Sequence, residues 1–258
     1  MSWALVTGAS AGIGACFARQ LASRRRNLVL TARRLDRLQQ LAKQLREQNS
    51  IEVECLSADL QHPQAPQQIY DFVRSRALAI DTLINNAGVG TYGKFAAIDP
   101  ARELGMVQLN CAAVVHLTRL FVPAMIERRR GEILIVSSTA AFQAVPYMTV
   151  YAATKAFDLI FAEGLAQELK HFGIRVCALC PGSTESEFDT LAGIPTERTA
   201  TLETAEQVAR VGLDALSSGK HTVISGFWNL AQAEAQRLAP RRLVTTITER
   251  MFRPDQRD

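Results

Sequence analysis

The chain has 258 residues, of which 48% are hydrophobic and 21% charged, which suits one soluble α/β domain with a substantial core. Its net charge of +4 is compatible with nucleic acid, an anionic membrane or an anionic phosphorylated cofactor, and does not discriminate among them. No stretch of about twenty uncharged apolar residues reads as membrane-spanning, and a first strand starting at about Trp3 leaves no room for a signal peptide.

Strand and helix patterns alternate along the chain. Strands are predicted near Trp3–Thr7, Leu28–Ala32, Glu52–Leu56, Thr82–Asn85, Glu132–Ser137, Arg175–Leu179 and Thr222–Ile224. Several are almost wholly apolar, as buried parallel strands are. The expected fold is one doubly wound, mostly parallel Rossmann-type sheet of about seven strands with helices on both faces. It forms a single domain over 1–258, with 226–258 as a helical tail.

The first strand runs into Gly8-Ala-Ser-Ala-Gly12-Ile-Gly14 and then a helical pattern. Strand, glycine turn and helix in that order make a dinucleotide site: glycine lets the backbone approach closely, and a helix N-terminus receives a pyrophosphate.

The arginines Arg24–Arg26 and Arg128–Arg130 are expected to close helices in solvent, with Gly131 as a C-cap. This is preferred to a nucleic-acid patch, since no aromatic residues interleave them. The long apolar helical run Leu104–Met125 carries one polar residue of note, Asn110. Plain helix chemistry would satisfy such a side chain on the backbone.

Ser137 to Lys155 holds the chemistry. Tyr151 and Lys155 are four apart, on one helix face. A phenol has a pKa of about 10, and a neighbouring ammonium favours the phenolate. Ser138 stands thirteen positions before Tyr151 and could hydrogen-bond the same substrate oxygen. Four Tyr and five Lys in this length yield only about 0.08 such pairs by chance.

Five cysteines, Cys16, Cys55, Cys111, Cys177 and Cys180, lie scattered in apolar segments and read as reduced core residues, in keeping with a cytoplasmic protein. Cys177 and Cys180 are three apart on a strand and face opposite ways. The four histidines stand alone, so no metal site is expected.

The Thr7-Gly8-x-x-x-Gly12-x-Gly14 turn together with Tyr151-x-x-x-Lys155 resembles the short-chain dehydrogenase/reductase family. The resemblance implies Tyr151 as acid/base, Lys155 as the group that lowers its pKa and binds the nicotinamide ribose, Ser138 as the carbonyl-positioning hydroxyl, and Asn110 as support for a proton relay. It further implies a cofactor site at Gly8, Ser10, Gly12, Ile13 and Gly14, at Asp59 and Leu60 after the third strand, and at Asn86, Ala87 and Gly88 after the fourth. Pro181 and Gly182 match a motif beneath the nicotinamide, with Thr184 or Ser186 on its carboxamide.

Arg33 and Arg34 end the second strand, where arginine accommodates a 2′-phosphate. NADP(H) is therefore expected over NAD(H), although both arginines could instead cap the next helix in solvent, and Ala11 stands where many NADP-using members carry a base. Substrate is expected against Val89–Phe95, Ala140–Met148 and Ser183–Thr201, whose apolar residues suit a lipophilic carbonyl or secondary alcohol. Those residues include Tyr92, Phe95, Phe142, Val145, Pro146, Tyr147, Met148, Phe188, Leu191 and Ile194.

The tail from Phe227 to Phe252 breaks at Pro240 and repeats Leu243, Ile247 and Met251. Three readings of it stay open: a subunit contact, a lid, or a membrane-surface helix, the first two preferred. A homodimer or homotetramer is the family habit. The alternatives to an enzyme are a non-catalytic NADP-binding sensor or scaffold and an arginine-driven interaction protein; an epimerase or dehydratase is the alternative within enzymes.

Overall fold

A computed structural model of the chain describes residues 2–195 and 203–254. Seven strands, β1 (Trp3–Thr7), β2 (Asn27–Ala32), β3 (Val53–Ser57), β4 (Ile80–Asn85), β5 (Gly131–Val136), β6 (Ile174–Cys180) and β7 (Thr222–Ile224), form one sheet in the order β3-β2-β1-β4-β5-β6-β7. All neighbours are parallel. The expected fold class holds.

Each central strand sends alternate residues to opposite faces. In β1, Trp3 and Leu5 join the core on one face, while Ala4 and Val6 join the core on the other. In β6, Ala178 and Cys180 belong to the first core and Cys177 and Leu179 to the second, so the two cysteines do point apart. Cys16, Cys55 and Cys111 are only half-buried, and none of the five is in a disulfide.

Helices α1 (Gly12–Ser23), α2 (Leu35–Asn49) and α8 (Ala205–Ser217) bury residues in one core. Helices α3 (Ala65–Ser75), α5 (Ala113–Glu127) and α6 (Thr149–Leu169) bury theirs in the other.

The helix expected over Leu104–Met125 is α4 (Pro100–Val107) and α5 joined by a π-turn at Gln108–Ala112. By length and composition alone, Pro100–Glu127 could cross a membrane, which the sequence reading did not anticipate. Half of its most apolar part is buried inside the fold, with Leu109, Leu117, Phe121 and Met125 in the core.

Gly131 is not a C-cap. It opens β5, where a Cβ would stand 2.6 Å from Met125 Sδ, and the left-handed residue after α5 is Arg129, at φ 49. The arginine clusters likewise do more than end helices in solvent. Arg26 reaches Ser2, donates to Thr82 Oγ1 at 3.1 Å and pairs with Glu132 at 2.8 Å. Arg128 donates to the Ile80 carbonyl and lies 3.5 Å from Asp81. Burial opposes ionisation of Glu132, yet hydrogen bonds from Arg175 and Thr82 and the charge of Arg26 hold its carboxyl below the ordinary range. These side chains tie together the end of the sheet remote from the glycine turn.

Candidate functional site

Sheet order reverses between β1 and β4, and ligands of open parallel sheets sit at that switch point, beyond the carboxyl ends of the strands. Thr7 and Asn86 open the crevice there. The Thr7 hydroxyl donates to the Ile84 carbonyl at 3.2 Å and accepts from the Asn86 and Ala87 amides at 3.0 and 2.9 Å, while Asn86 Nδ2 donates to the Thr7 carbonyl at 2.8 Å.

Gly8 and Gly12 take φ of +66° and +52°, which side chains rarely adopt. Gly14 is demanded by space, because a Cβ there would lie 2.3 Å from the Gly8 carbonyl oxygen. Gly14→Ala is therefore expected to destabilise the chain by about 2–3 kcal/mol through overpacking and to distort the turn. Urea unfolding checks the first effect and nucleotide titration the second; unchanged values in both would show that the turn adapts freely.

The turn delivers α1 with Ala11 at its N-cap, no side-chain cap and no acidic residue in its first turn. Its amide groups and positive dipole end thus face the cleft without an internal anion, which fits a pyrophosphate. The cleft has a volume of about 570 Å³ and is lined by Gly8, Ser10, Gly12, Ile13, Gly14, Arg33, Arg34, Asp59, Leu60, Asn86, Ala87, Gly88, Ser138, Tyr151, Lys155, Pro181, Gly182, Thr184 and Ser186. A single cavity thus gathers every expected cofactor residue, and the shape and donor set fit a dinucleotide.

On the other side of the cleft, α6 presents Tyr151, Lys155 and Asp158, all buried. Lys155 Nζ donates to the Val136 carbonyl at 2.8 Å and to Asp158 Oδ2 at 3.0 Å. Burial disfavours the Lys155 charge, but Asp158 and Tyr151 outweigh it and raise its pKa. Burial lifts the Asp158 carboxyl to about 6 against the pull of Lys155.

Tyr151 departs from expectation. Lys155 and a hydrogen bond with Ser138 do favour its phenolate, but burial is the larger effect and leaves the pKa raised, with Asp158 and Asp189 adding to the rise. The net shift is opposite to the one Tyr–Lys spacing suggests, because spacing carries no information on desolvation.

The two adjacent serines have different work. Ser137 donates to the Lys155 main-chain carbonyl at 2.7 Å and so anchors α6 to β5. Ser138 faces the cleft, accepts from the Ala140 amide at 3.1 Å and contacts Tyr151.

Asn110 is buried in the π-turn, a feature frequent at functional sites. Its Oδ1 accepts from the Val89 amide at 3.1 Å, and its Nδ2 donates to the Val89 carbonyl and Thr154 Oγ1, each at 3.0 Å. The side chain thereby pins the segment after β4 against α6. A Cβ on Gly88 would be 3.4 Å from both Asn110 Oδ1 and Lys155 Nζ, which places the segment after β4 beside both groups. Thr184 Oγ1 donates to the Gly182 carbonyl at 3.0 Å, while Ser186 Oγ accepts from the Phe188 amide at 3.3 Å.

Of the expected substrate residues, Val145, Met148, Phe188, Leu191 and Ile194 line the cleft. The Phe188 ring sits 5.2 Å from that of Tyr151. Phe95 is exposed, and Phe142 packs against the core instead. The part of the expected substrate segment at 196–201 lies outside the described residues.

The tail forms α9 (Phe227–Leu238) and α10 (Arg241–Phe252), separated at Pro240. It acts as a roof. Thr248 donates to the Ala144 carbonyl at 3.0 Å, Tyr92 to the Phe252 carbonyl at 2.9 Å and Tyr147 to Glu249 at 2.8 Å. Trp228, Thr248, Met251 and Phe252 line the cleft, while the apolar repeat of Leu243, Ile247 and Met251 stays 53%, 50% and 58% exposed.

Arg34 donates to Ser10 Oγ at 3.3 Å and to Glu187 Oε2 at 2.8 Å, and Arg37 donates to Glu187 Oε1 at 2.6 Å. Sequence reasoning missed Arg37 and Glu187. Arg37 had one signal, its place one helical turn beyond Arg34.

A parallel sheet with a glycine turn at its switch point, and a Tyr–Lys pair across the same cleft, defines a Rossmann-type dinucleotide-binding protein. Residues 2–193 match the family model described as short chain dehydrogenase. The very-long-chain 3-oxoacyl-CoA reductase of Anas platyrhynchos is 36% identical over 186 residues, which are 70% of this chain and 59% of that protein's length. Hydroxysteroid dehydrogenase-like protein 1 of Gallus gallus is 30% identical over 229 residues, 88% of this chain and 68% of that one. A short-chain dehydrogenase from Sphingobium yanoikuyae, solved in complex with NADPH, superposes with a TM-score of 0.85 at 31% identity, covering 100% of this chain and 98% of that one. This chain belongs to the short-chain dehydrogenase/reductase family of oxidoreductases.

Proposed function

We propose that the chain is an NADPH-dependent oxidoreductase that interconverts a lipophilic ketone or aldehyde and the corresponding alcohol. The observation that carries this reading is the convergence of Ser138, Tyr151 and Lys155 on the cleft whose far end holds the glycine turn and Arg33–Arg34. When bound, the nicotinamide supplies or accepts the hydride.

The residues supply the rest. Tyr151 donates a proton to the carbonyl oxygen during reduction and takes it back during oxidation, and Ser138 positions that oxygen. Lys155, held by Val136 and Asp158, favours the phenolate and reaches toward the nucleotide. Asn110 positions the wall of the cleft through Val89. The same roles assign Thr184 or Ser186 to the carboxamide.

The preference for NADPH rests on Arg33 and Arg34, which both line the cleft and whose guanidinium forks suit a phosphate. The NADPH-bound neighbour supports it. Arg34→Ala is expected to weaken NADPH binding about tenfold or more, the scale of one charge-assisted hydrogen bond, with NADH binding little changed. Fluorescence titration of both nucleotides measures this, and equal losses for the two would remove the basis for the preference.

A lipophilic substrate is supported by the apolar patch of Met106, Val145, Met148 and Ala152 packed around Tyr151, with Phe188, Ile194 and Phe252 against it. The name of the Anas relative points to a long acyl substrate and that of a solved neighbour from Comamonas testosteroni, 28% identical, to bulky ketones. A panel of ketones graded by bulk, followed by NADPH absorbance, tests the reading; activity confined to small polar carbonyls would overturn it.

A further inference from the structure

In the ligand-free chain, Arg34, one of the two arginines assigned to the cofactor's 2′-phosphate, already holds an anion together with its neighbour Arg37. That anion is internal. Glu187 lies just before the short helix α7 (Phe188–Ala192), on the opposite bank of the cleft from α2. Its two carboxylate oxygens are divided between Arg34, at 2.8 Å, and Arg37, at 2.6 Å, and Ser10 of the glycine turn hydrogen-bonds the same Arg34. A carboxylate and a phosphate monoester both present paired anionic oxygens to a guanidinium fork, so the two compete for one place.

We propose that Glu187 is an internal stand-in for the 2′-phosphate, displaced when NADPH binds, and that it is a determinant of cofactor affinity joined to the substrate-side segment. This rests on the NADPH reading given above. Two further facts argue for displacement rather than a permanent contact. The Glu187 side chain is 43% exposed and its partners 40% and 44%, so the pairs are screened and readily exchanged for a more highly charged group. Glu187 also adjoins Phe188, whose ring covers Tyr151 at 5.2 Å and fills the space over Gly90, where a Cβ would meet it at 2.6 Å. Withdrawing Glu187 therefore loosens the segment that lies on the catalytic phenol, and ties opening of the substrate side to arrival of the phosphorylated nucleotide.

The test titrates the full-length chain, as wild type, Glu187→Gln and Arg34→Ala, with two probes by calorimetry: AMP, and the adenosine bisphosphate that carries the additional 2′-phosphate. Glu187→Gln should bind the bisphosphate about three- to tenfold more tightly, the scale of two exposed ion pairs removed from competition, and bind AMP as wild type does. Hydrogen exchange at residues 187–192 should rise when the bisphosphate binds wild type, and should already be high in Glu187→Gln. Unchanged or weaker bisphosphate binding by Glu187→Gln would overturn the proposal, and a weakened affinity for AMP would instead assign Glu187 to the ribose hydroxyl. If wild type binds the two probes equally and Arg34→Ala alters neither, the NADPH reading itself has failed. If Arg34→Ala selectively loses the bisphosphate while Glu187→Gln changes nothing, only the stand-in role is wrong.

Discussion

Tyr151→Phe should lower turnover by about 10²–10⁴-fold, the range of a positioned general acid, while nucleotide affinity measured by fluorescence titration stays near that of wild type. The variant removes one oxygen and leaves the ring in place against Phe188 and Met148, so it separates proton transfer from packing. The pH profile adds a second check. Burial holds the Tyr151 phenol above its ordinary value, and Lys155 and Ser138 recover only part of the rise. Carbonyl reduction needs the protonated phenol and should stay flat into alkaline solution. Alcohol oxidation needs the phenolate and should climb with pH. Near-normal turnover in Tyr151→Phe would remove the proposed mechanism.

The second large effect is expected at Asp158. Its carboxylate and the Lys155 ammonium form an ion pair with side chains only 1% and 6% exposed, and Asp158 Oδ1 is buried with no hydrogen-bond partner. Removing one member of such a pair leaves the other charge buried and unpaired. Asp158→Ala should therefore cost about 3 kcal/mol of stability, and Asp158→Asn less, because the amide can still accept from Lys155.

The pH dependence has a definite sign. Burial raises the Asp158 pKa to about 6, so the folded chain holds this proton more tightly than the unfolded chain does. The stability linked to it is complete below the ordinary Asp pKa and is lost as pH rises through the folded one. Urea unfolding at pH 5 and pH 8 should show wild type losing ground to Asp158→Asn as the pH is raised. A constant difference between the two would mean that Asp158 does not titrate in that interval. Because the Asp158 charge also raises the Tyr151 pKa, Asp158→Asn should move the oxidative limb of the activity profile to lower pH.

The contrast between what was legible and what was not follows the range of the interactions. The alternation of Trp3, Ala4, Leu5 and Val6 between two cores, the glycine turn after β1 and the shared face of Tyr151 and Lys155 are local. Strand and helix periodicity prescribe them within a few residues. Gly131 misled because a glycine after an arginine run has the composition of a C-cap. Packing against Met125 instead requires it in β5, and the left-handed turn fell to Arg129.

The ladder of motifs alone thus determined the fold and the group of residues from Gly8 to Ser186 that shares one cleft with Ser138, Tyr151 and Lys155. Folding decided the rest: the raised pKa of Tyr151, the pairing of Lys155 with Asp158, the roof made by α10, and the reach of Glu187 to Arg34, 153 positions away. Desolvation and contacts between distant segments depend on how whole elements stack, and no spacing within one element encodes them.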